Sequence, residues 1–215
     1  MNEDSVLLID KPAGITSFGV VARVRRRLSQ ELGKKAKVGH TGTLDPFATG
    51  LMIIVTGKEC RNAGDYSKLD KVYEATIRLG QTSSTGDPEG EITNTSDLKP
   101  TQDELEVALK PFIGEIKQRP PIYSAIKING QRAYKLARKG ETVEMPERTV
   151  TIFSLELLHY AYPDVKIRVH VSSGTYIRTL AEDIGKVLGT GAYCSELRRT
   201  KIADWSVDDA EPIAV

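Results

Sequence analysis

The chain has 215 residues, and its 30 Lys plus Arg against 29 Asp plus Glu leave a net charge of +1. Apolar residues make up 40% and charged residues 27%, enough for a packed core, which excludes a wholly disordered chain. No apolar run approaches the roughly 18 residues that cross a bilayer, and two cysteines, Cys60 and Cys194, build no disulfide framework. The acidic start MNEDSVLLID is unlike a signal peptide, so a soluble, cytoplasmic chain of one domain over residues 1–215 is expected.

In chain order, Ser17 is placed to cap a helix over about 18–32, with Val20, Val21, Val24 and Leu28 as its apolar stripe and its arginines facing away. LMIIV (51–55) is wholly apolar and reads as a buried strand. In VYEATIRL (72–79), Tyr73, Ala75, Ile77 and Leu79 alternate as in a half-buried strand. The acidic, turn-rich segment 85–100 reads as a loop joining two elements of one sheet. Thr101 and Glu104 form a capping box before a helix that buries Leu105, Ala108, Leu109 and Phe112. Asn129-Gly130 marks a hairpin, and VKIRVHV (165–171) turns Val165, Ile167, Val169 and Val171 inward. A helix over about 175–188 then buries Leu180, Ile184, Val187 and Leu188. Hairpins mixed with separate helices predict an α/β fold of the α+β kind, a mixed, mostly antiparallel sheet carrying helices.

Charge is unevenly spread. Arg23, Arg25, Arg26, Arg27, Lys34, Lys35 and Lys37 face only Glu31, and Lys117, Arg119, Lys127, Arg132, Lys135, Arg138 and Lys139 form a second basic run. Such patches set the local field whatever the total, and suit phosphate contacts. GHTGTLDPFATG (39–50) lacks the Gly-Lys-Ser/Thr ending of a nucleotide-binding loop. It does put Asp45 before Pro46, which restricts Asp45 to extended conformations and holds a carboxylate on a tight loop beside the buried strand. Taken alone, an Asp-Pro pair reads first as an Asx-turn.

The same loop resembles the catalytic loop of the tRNA pseudouridine-55 synthase family. LLIDKPAGITS (7–17), KVYEATIRLGQTSSTGDPEGEI (71–92), PPIYSAIKINGQRAYKLARKG (120–140) and SSGTYIRTLAEDIGKVLGTGAYCSELRRT (172–200) are similar to further blocks of that family, in the same order along nearly the whole chain. The resemblance implies an RNA-modifying isomerase with the pseudouridine synthase fold, acting on the T-loop of tRNA. Asp45 falls on the catalytic aspartate, Tyr73 on the tyrosine that stacks on the target base, and Arg178 on the arginine that pairs with the aspartate. Tyr176 and Leu197 fall on residues lining the base pocket, His40 on one that meets the RNA loop, and Lys11 on a motif that supports the active-site loop. A monomer is expected, with no membrane span, since apolar runs are short, no metal, since His40, His159 and His170 are scattered, and no cofactor. Many members continue into a small C-terminal RNA-binding domain, whereas this chain ends at EPIAV. Guide-RNA-dependent modification and a non-catalytic tRNA chaperone stand as alternatives.

The chemistry fits these assignments. Breaking the N1 glycosidic bond of uridine and joining C5 to the same sugar carbon is redox-neutral. It asks for an ionised carboxylate as nucleophile or base, and a guanidinium nearby favours that form. The base must leave its stack, so an aromatic face and an apolar wall must replace what it loses.

Overall fold

Residues 3–124, 126–128, 130–137 and 144–213 are described by the computed structural model. In chain order, β1 (Val6–Lys11) leads to α1 (Ser17–Leu32), β2 (Val38–His40) and β3 (Thr49–Thr56), then α2 (Ala63–Ser67), β4 (Lys71–Leu79) and the short pair β5 (Gln81–Ser83) and β6 (Ile92–Asn94). Next come α3 (Gln102–Leu109), β7 (Gly114–Gln118), β8 (Lys127–Ile128), β9 (Gln131–Arg132) and α4 (Ala133–Ala137). The last are β10 (Arg148–Ala161), β11 (Asp164–Val171), α5 (Ile177–Val187), β12 (Ala192–Ile202), β13 (Trp205–Ser206) and β14 (Glu211–Pro212). The expected mixed fold is present. Among the described residues, no helix is long and apolar enough to cross a membrane.

The chain divides into two compact units, Met1–Glu74 with Leu197–Val215, and Ala75–Glu196, so that β4 and β12 each contribute to both. In the first unit the sheet order is β14-β1-β3-β12-β4, with β2 added to β3. β1 runs antiparallel to β3, and β12 runs parallel to it at Arg198–Thr49 and Arg199–Gly50. β3 is buried on both faces, which is why LMIIV lacks alternation: Leu51, Ile53 and Val55 pack with Ile202, Leu8 and Trp205, while Met52 and Ile54 are equally buried on the other face. α1 buries Val20, Val21, Val24 and Leu28 as its spacing predicts. Its cap is Thr16, whose hydroxyl accepts from Gly19 N at 2.9 Å, and not Ser17; that serine is one residue inside the helix and turned into the protein.

In the second unit the order is β12-β4-β11-β10-β7, with β10 antiparallel to both β11 and β7. Val165, Ile167, Val169 and Val171 lie inward at 1% exposure or less, and the Thr101–Glu104 capping box is present in both directions. The hairpin at 127–132 forms as β8 paired with β9, although Asn129 itself, like Arg138 and Lys139, lies outside the described residues. α5 buries Ile177, Leu180, Ala181 and Ile184. Val187 departs from expectation: it sits at the edge of that stripe and lines an open groove with Leu98 and Val107, at 58% exposure. The acidic segment 85–100 is more ordered than a plain connection, because Ile92–Asn94 turns back onto β5.

Candidate active site

In the first unit, the loop carrying Asp45 is gripped through its main chain by side chains from three different elements. Ser17, on α1, both donates to Leu44 O and accepts from Leu44 N, each at 2.8 Å. Lys11, at the end of β1 and wholly buried, donates to Pro12 O, Ile15 O and Pro46 O at 2.9, 2.8 and 3.2 Å. Gly14 N reaches the same Pro46 O at 2.9 Å. From β12, the buried Arg199 donates through Nε to Leu51 O at 2.7 Å and through its terminal nitrogen to Gly42 O at 3.2 Å. Gly50 lets the Arg199 main chain lie close to β3. It has φ 107°, and a Cβ there would stand 2.2 Å from Arg199 O. Asp45 itself is half-buried, and its carbonyl accepts from Ala48 N at 3.2 Å, closing the turn.

Buried cations are costly unless their donors are satisfied, and here main-chain carbonyls satisfy them. The Lys11 ammonium is thus turned away from solvent and onto the main chain around the Asp45 loop. Beside it in β12, Arg198 makes a two-pronged pair with Asp10 at 2.8 and 3.1 Å, and the hydrogen bonds to Asp10 raise its pKa.

Tyr73 lies inward on β4 and Leu197 on the neighbouring β12, each 8% exposed, and Thr200 ties the two strands by donating to Val72 O at 3.3 Å. His40 ends β2, opposite Ile54 of β3, and is half-buried. Lys71 shares the inward face of Tyr73 and escaped the sequence reading. It is 6% exposed and donates to Ser67 O at 2.8 Å and to Leu69 O. Burial first, and the positive charge of Arg199 second, lower its pKa to about 8.

In the second unit, Tyr176 is the N-cap residue of α5 and is clamped by Gln118 of β7. The Gln118 side chain donates to Tyr176 O at 3.0 Å and accepts from Tyr176 N at 2.9 Å. The Arg148 guanidinium lies 4.8 Å from the centre of the Tyr176 ring and donates to Gly174 O. Two residues on, Arg178 donates to Thr85 O at 2.8 Å, Tyr123 O at 2.9 Å and Asp87 Oδ2 at 3.1 Å. The Arg178 and Asp87 side chains are 3% and 5% exposed, so this is a buried ion pair. Asp87 also accepts from Thr85 Oγ1 at 2.6 Å and Glu89 N at 3.0 Å, which fixes the turn 83–90. Sequence reasoning missed Asp87 because it counted it with a solvated acidic run. The available signal was a second Asp-Pro pair, Asp87-Pro88.

A cavity of about 520 Å³ opens beside this pair, lined by Thr85, Arg119, Tyr123 and Glu182 among others. Burial raises the pKa of Glu182. Among the described residues, no three His, Cys, Asp or Glu side chains converge as a metal site requires.

Comparison with known proteins adds the family. Residues 26–177 match the TruB family pseudouridylate synthase (N terminal domain), and residues 178–213 match the tRNA pseudouridylate synthase B C-terminal domain. The chain is 48% identical over 209 residues to a tRNA pseudouridine synthase B of Phocaeicola vulgatus, covering 96% of this chain and 89% of that one. It is 47% identical over 207 residues to its namesake in Burkholderia mallei, covering 96% and 67%. Among solved structures it resembles a chain of a Cbf5-Nop10-Gar1 complex, with TM-score 0.74 and 32% identity over 98% of this chain and 52% of that one. It also resembles a chain of an H/ACA ribonucleoprotein bound to a substrate RNA containing 2'-deoxyuridine, with TM-score 0.70, 29% identity, and coverage of 98% and 51%. The chain thus spans about half the length of these solved chains. Its mixed sheet, the ordered blocks of its sequence and a family match over most of its length lead to one assignment: the chain belongs to the TruB family of pseudouridylate synthases.

Proposed function

We propose that this chain converts uridine to pseudouridine at position 55, in the T-loop of tRNA, with Asp45 as the essential carboxylate. Uridine-to-pseudouridine conversion in tRNA is the chemistry of the family; the position and the residue are the finer part of the reading. One observation carries it. Lys11, Ser17 and Arg199 hold the Asp45 loop by its backbone from three directions, so a half-buried carboxylate sits on a rigid support. Preorganisation of this kind is what a carboxylate acting on one face of a nucleoside needs.

The reaction breaks the N1–sugar bond, turns the uracil and joins C5 to the same carbon, with the C5 proton lost and N1 gaining one. Asp45 serves as nucleophile or base, Tyr73 gives the extruded base an aromatic face, and Leu197 gives an apolar wall. His40 meets the RNA loop, and in the second unit Tyr176 offers the base a surface and Arg178 a guanidinium. The protein acts as a monomer in the cytoplasm without a cofactor, and the two basic clusters meet the phosphates of the stem-loop.

Incubation with unmodified tRNA labelled with tritium at uridine C5 tests the reading. Wild-type protein, with no guide RNA or accessory protein, is expected to release the label and place pseudouridine at position 55. Asp45→Asn is expected to bind tRNA and form no product. Product formed by Asp45→Asn would overturn the role of the carboxylate, and activity that needs a guide RNA would favour the alternative suggested by the likeness to the Cbf5-Nop10-Gar1 chain.

A further inference from the structure

Phe18, at the start of α1, is the most exposed large apolar side chain among the described residues, at 66%. It lies off the helix's buried face, which holds Ser17, Val20, Val21, Val24 and Leu28, so the fold does not use it. Two turns along the same helix, the Arg25 guanidinium stands 5.9 Å from the centre of the Phe18 ring. Arg25 is fixed in turn, because it donates to Val38 O at 3.1 Å, on the strand β2 that ends in His40. Phe18 also adjoins Ser17, the residue whose hydroxyl holds Leu44, immediately before Asp45. Around it the helix carries Arg23, Arg26 and Arg27 with Glu31 as its one acid.

An exposed ring with a tethered guanidinium, set in a basic surface beside a loop that acts on RNA, matches the chemistry by which proteins hold unpaired nucleotides. The ring stacks on a base, and the cations meet its phosphate. We propose that Phe18 and Arg25 form a second nucleotide site, which takes an unpaired base of the substrate RNA flanking the target uridine. This inference rests on the reading of the Asp45 loop as the RNA-modifying site. It is also distinct from the pocket of Tyr73 and Leu197, because it holds a nucleotide that does not react.

Loss of one base–aromatic stack corresponds to about 5- to 150-fold in affinity. Phe18→Ala is therefore expected to raise both the KM for unmodified tRNA and the dissociation constant by at least about 5-fold, whereas Phe18→Trp keeps both near wild type. Uniform binding lost in this way acts on KM far more than on kcat. A scan of T-stem-loop RNAs, each with one abasic nucleotide beside the target, identifies the partner: one position is expected to weaken wild-type binding and to have no further effect on Phe18→Ala. A KM and dissociation constant within two-fold of wild type for Phe18→Ala, or additive losses at every abasic position, would overturn the inference. The dissociation constant does not depend on turnover. Phe18-dependent binding without any product would therefore count against the proposed function alone, and normal turnover with Phe18-independent binding against this inference alone.

Discussion

The chain contains two loops built on Asp-Pro, one in each unit, and they are stabilised in opposite ways. Around Asp87-Pro88 the carboxylate is the structural element. It accepts from Thr85 and from Glu89 N, an Asx-turn, and it neutralises the buried Arg178. Around Asp45-Pro46 the loop is held by Ser17, Lys11 and Arg199 acting on main-chain atoms of Leu44, Pro46 and Gly42. The same dipeptide thus serves as a fastener in one place and as a platform in the other. The difference lies in which atoms are gripped: the turn at Asp87 is closed through the carboxylate, whereas at Asp45 the neighbours hold main-chain atoms of the loop.

The comparison breaks most visibly through stability. Asp87→Ala removes the carboxylate from a buried ion pair with Arg178, and removing one partner of such a pair costs about 3–5 kcal/mol. For a chain of this size the melting temperature should fall by roughly 6–20 °C. Asp45→Asn, at a half-buried position of similar shape, is expected to cost less than about 1 kcal/mol while abolishing product. Urea and thermal unfolding of the two variants side by side measure this. Equal losses would mean that Asp45 fastens its loop as Asp87 does.

A middle-sized effect sharpens the platform half of the contrast. Arg199 spans Leu51 O and Gly42 O with two nitrogens of one planar group, which lysine does not reproduce. Arg199→Lys should lower stability by about 1–3 kcal/mol. It should also lower kcat by about 10-fold or more, since small misplacements of a reacting group are costly, with KM for tRNA little changed. A purely structural role would appear as lost stability with kcat per folded molecule at the wild-type value.

These residues also mark what the sequence disclosed. Local pattern found β3 as an unbroken apolar run, and β4, β11, the α1 stripe and the Thr101–Glu104 box by spacing, because each depends on residues close together in the chain. It placed the α1 cap one residue late, because Thr16 and Ser17 are equally good caps locally and only the remote Leu44 claims Ser17. Lys71, Arg199 and Asp87 escaped because charged residues read as solvated; the carbonyls of Leu51 and Gly42 that accept from Arg199 and the counter-charge of Asp87 come from other segments of the chain, whereas Lys71 turns to the nearby carbonyls of Ser67 and Leu69. Family resemblance, not spacing, pointed to Tyr73, Arg178, Tyr176, Leu197 and His40. On periodicity alone Tyr73 is core, which is where the structure places its side chain.

The smallest effect concerns Lys71, whose ammonium sits near Arg199 on the platform side. Burial and that second cation lower its pKa from 10.5 to about 8, so between these values the folded chain binds fewer protons there than the unfolded chain. Stability contributed by this group therefore rises as pH increases from about 8 towards 10.5, and below about 8 the penalty of the buried charge is fully present. Lys71→Met removes the titration. The difference in melting temperature between wild type and Lys71→Met, followed across that pH range, cancels the groups common to both and should move steadily in favour of wild type. A flat difference would show that Lys71 keeps its ordinary pKa, and that the carbonyls of Ser67 and Leu69 stabilise its ammonium as well as water does.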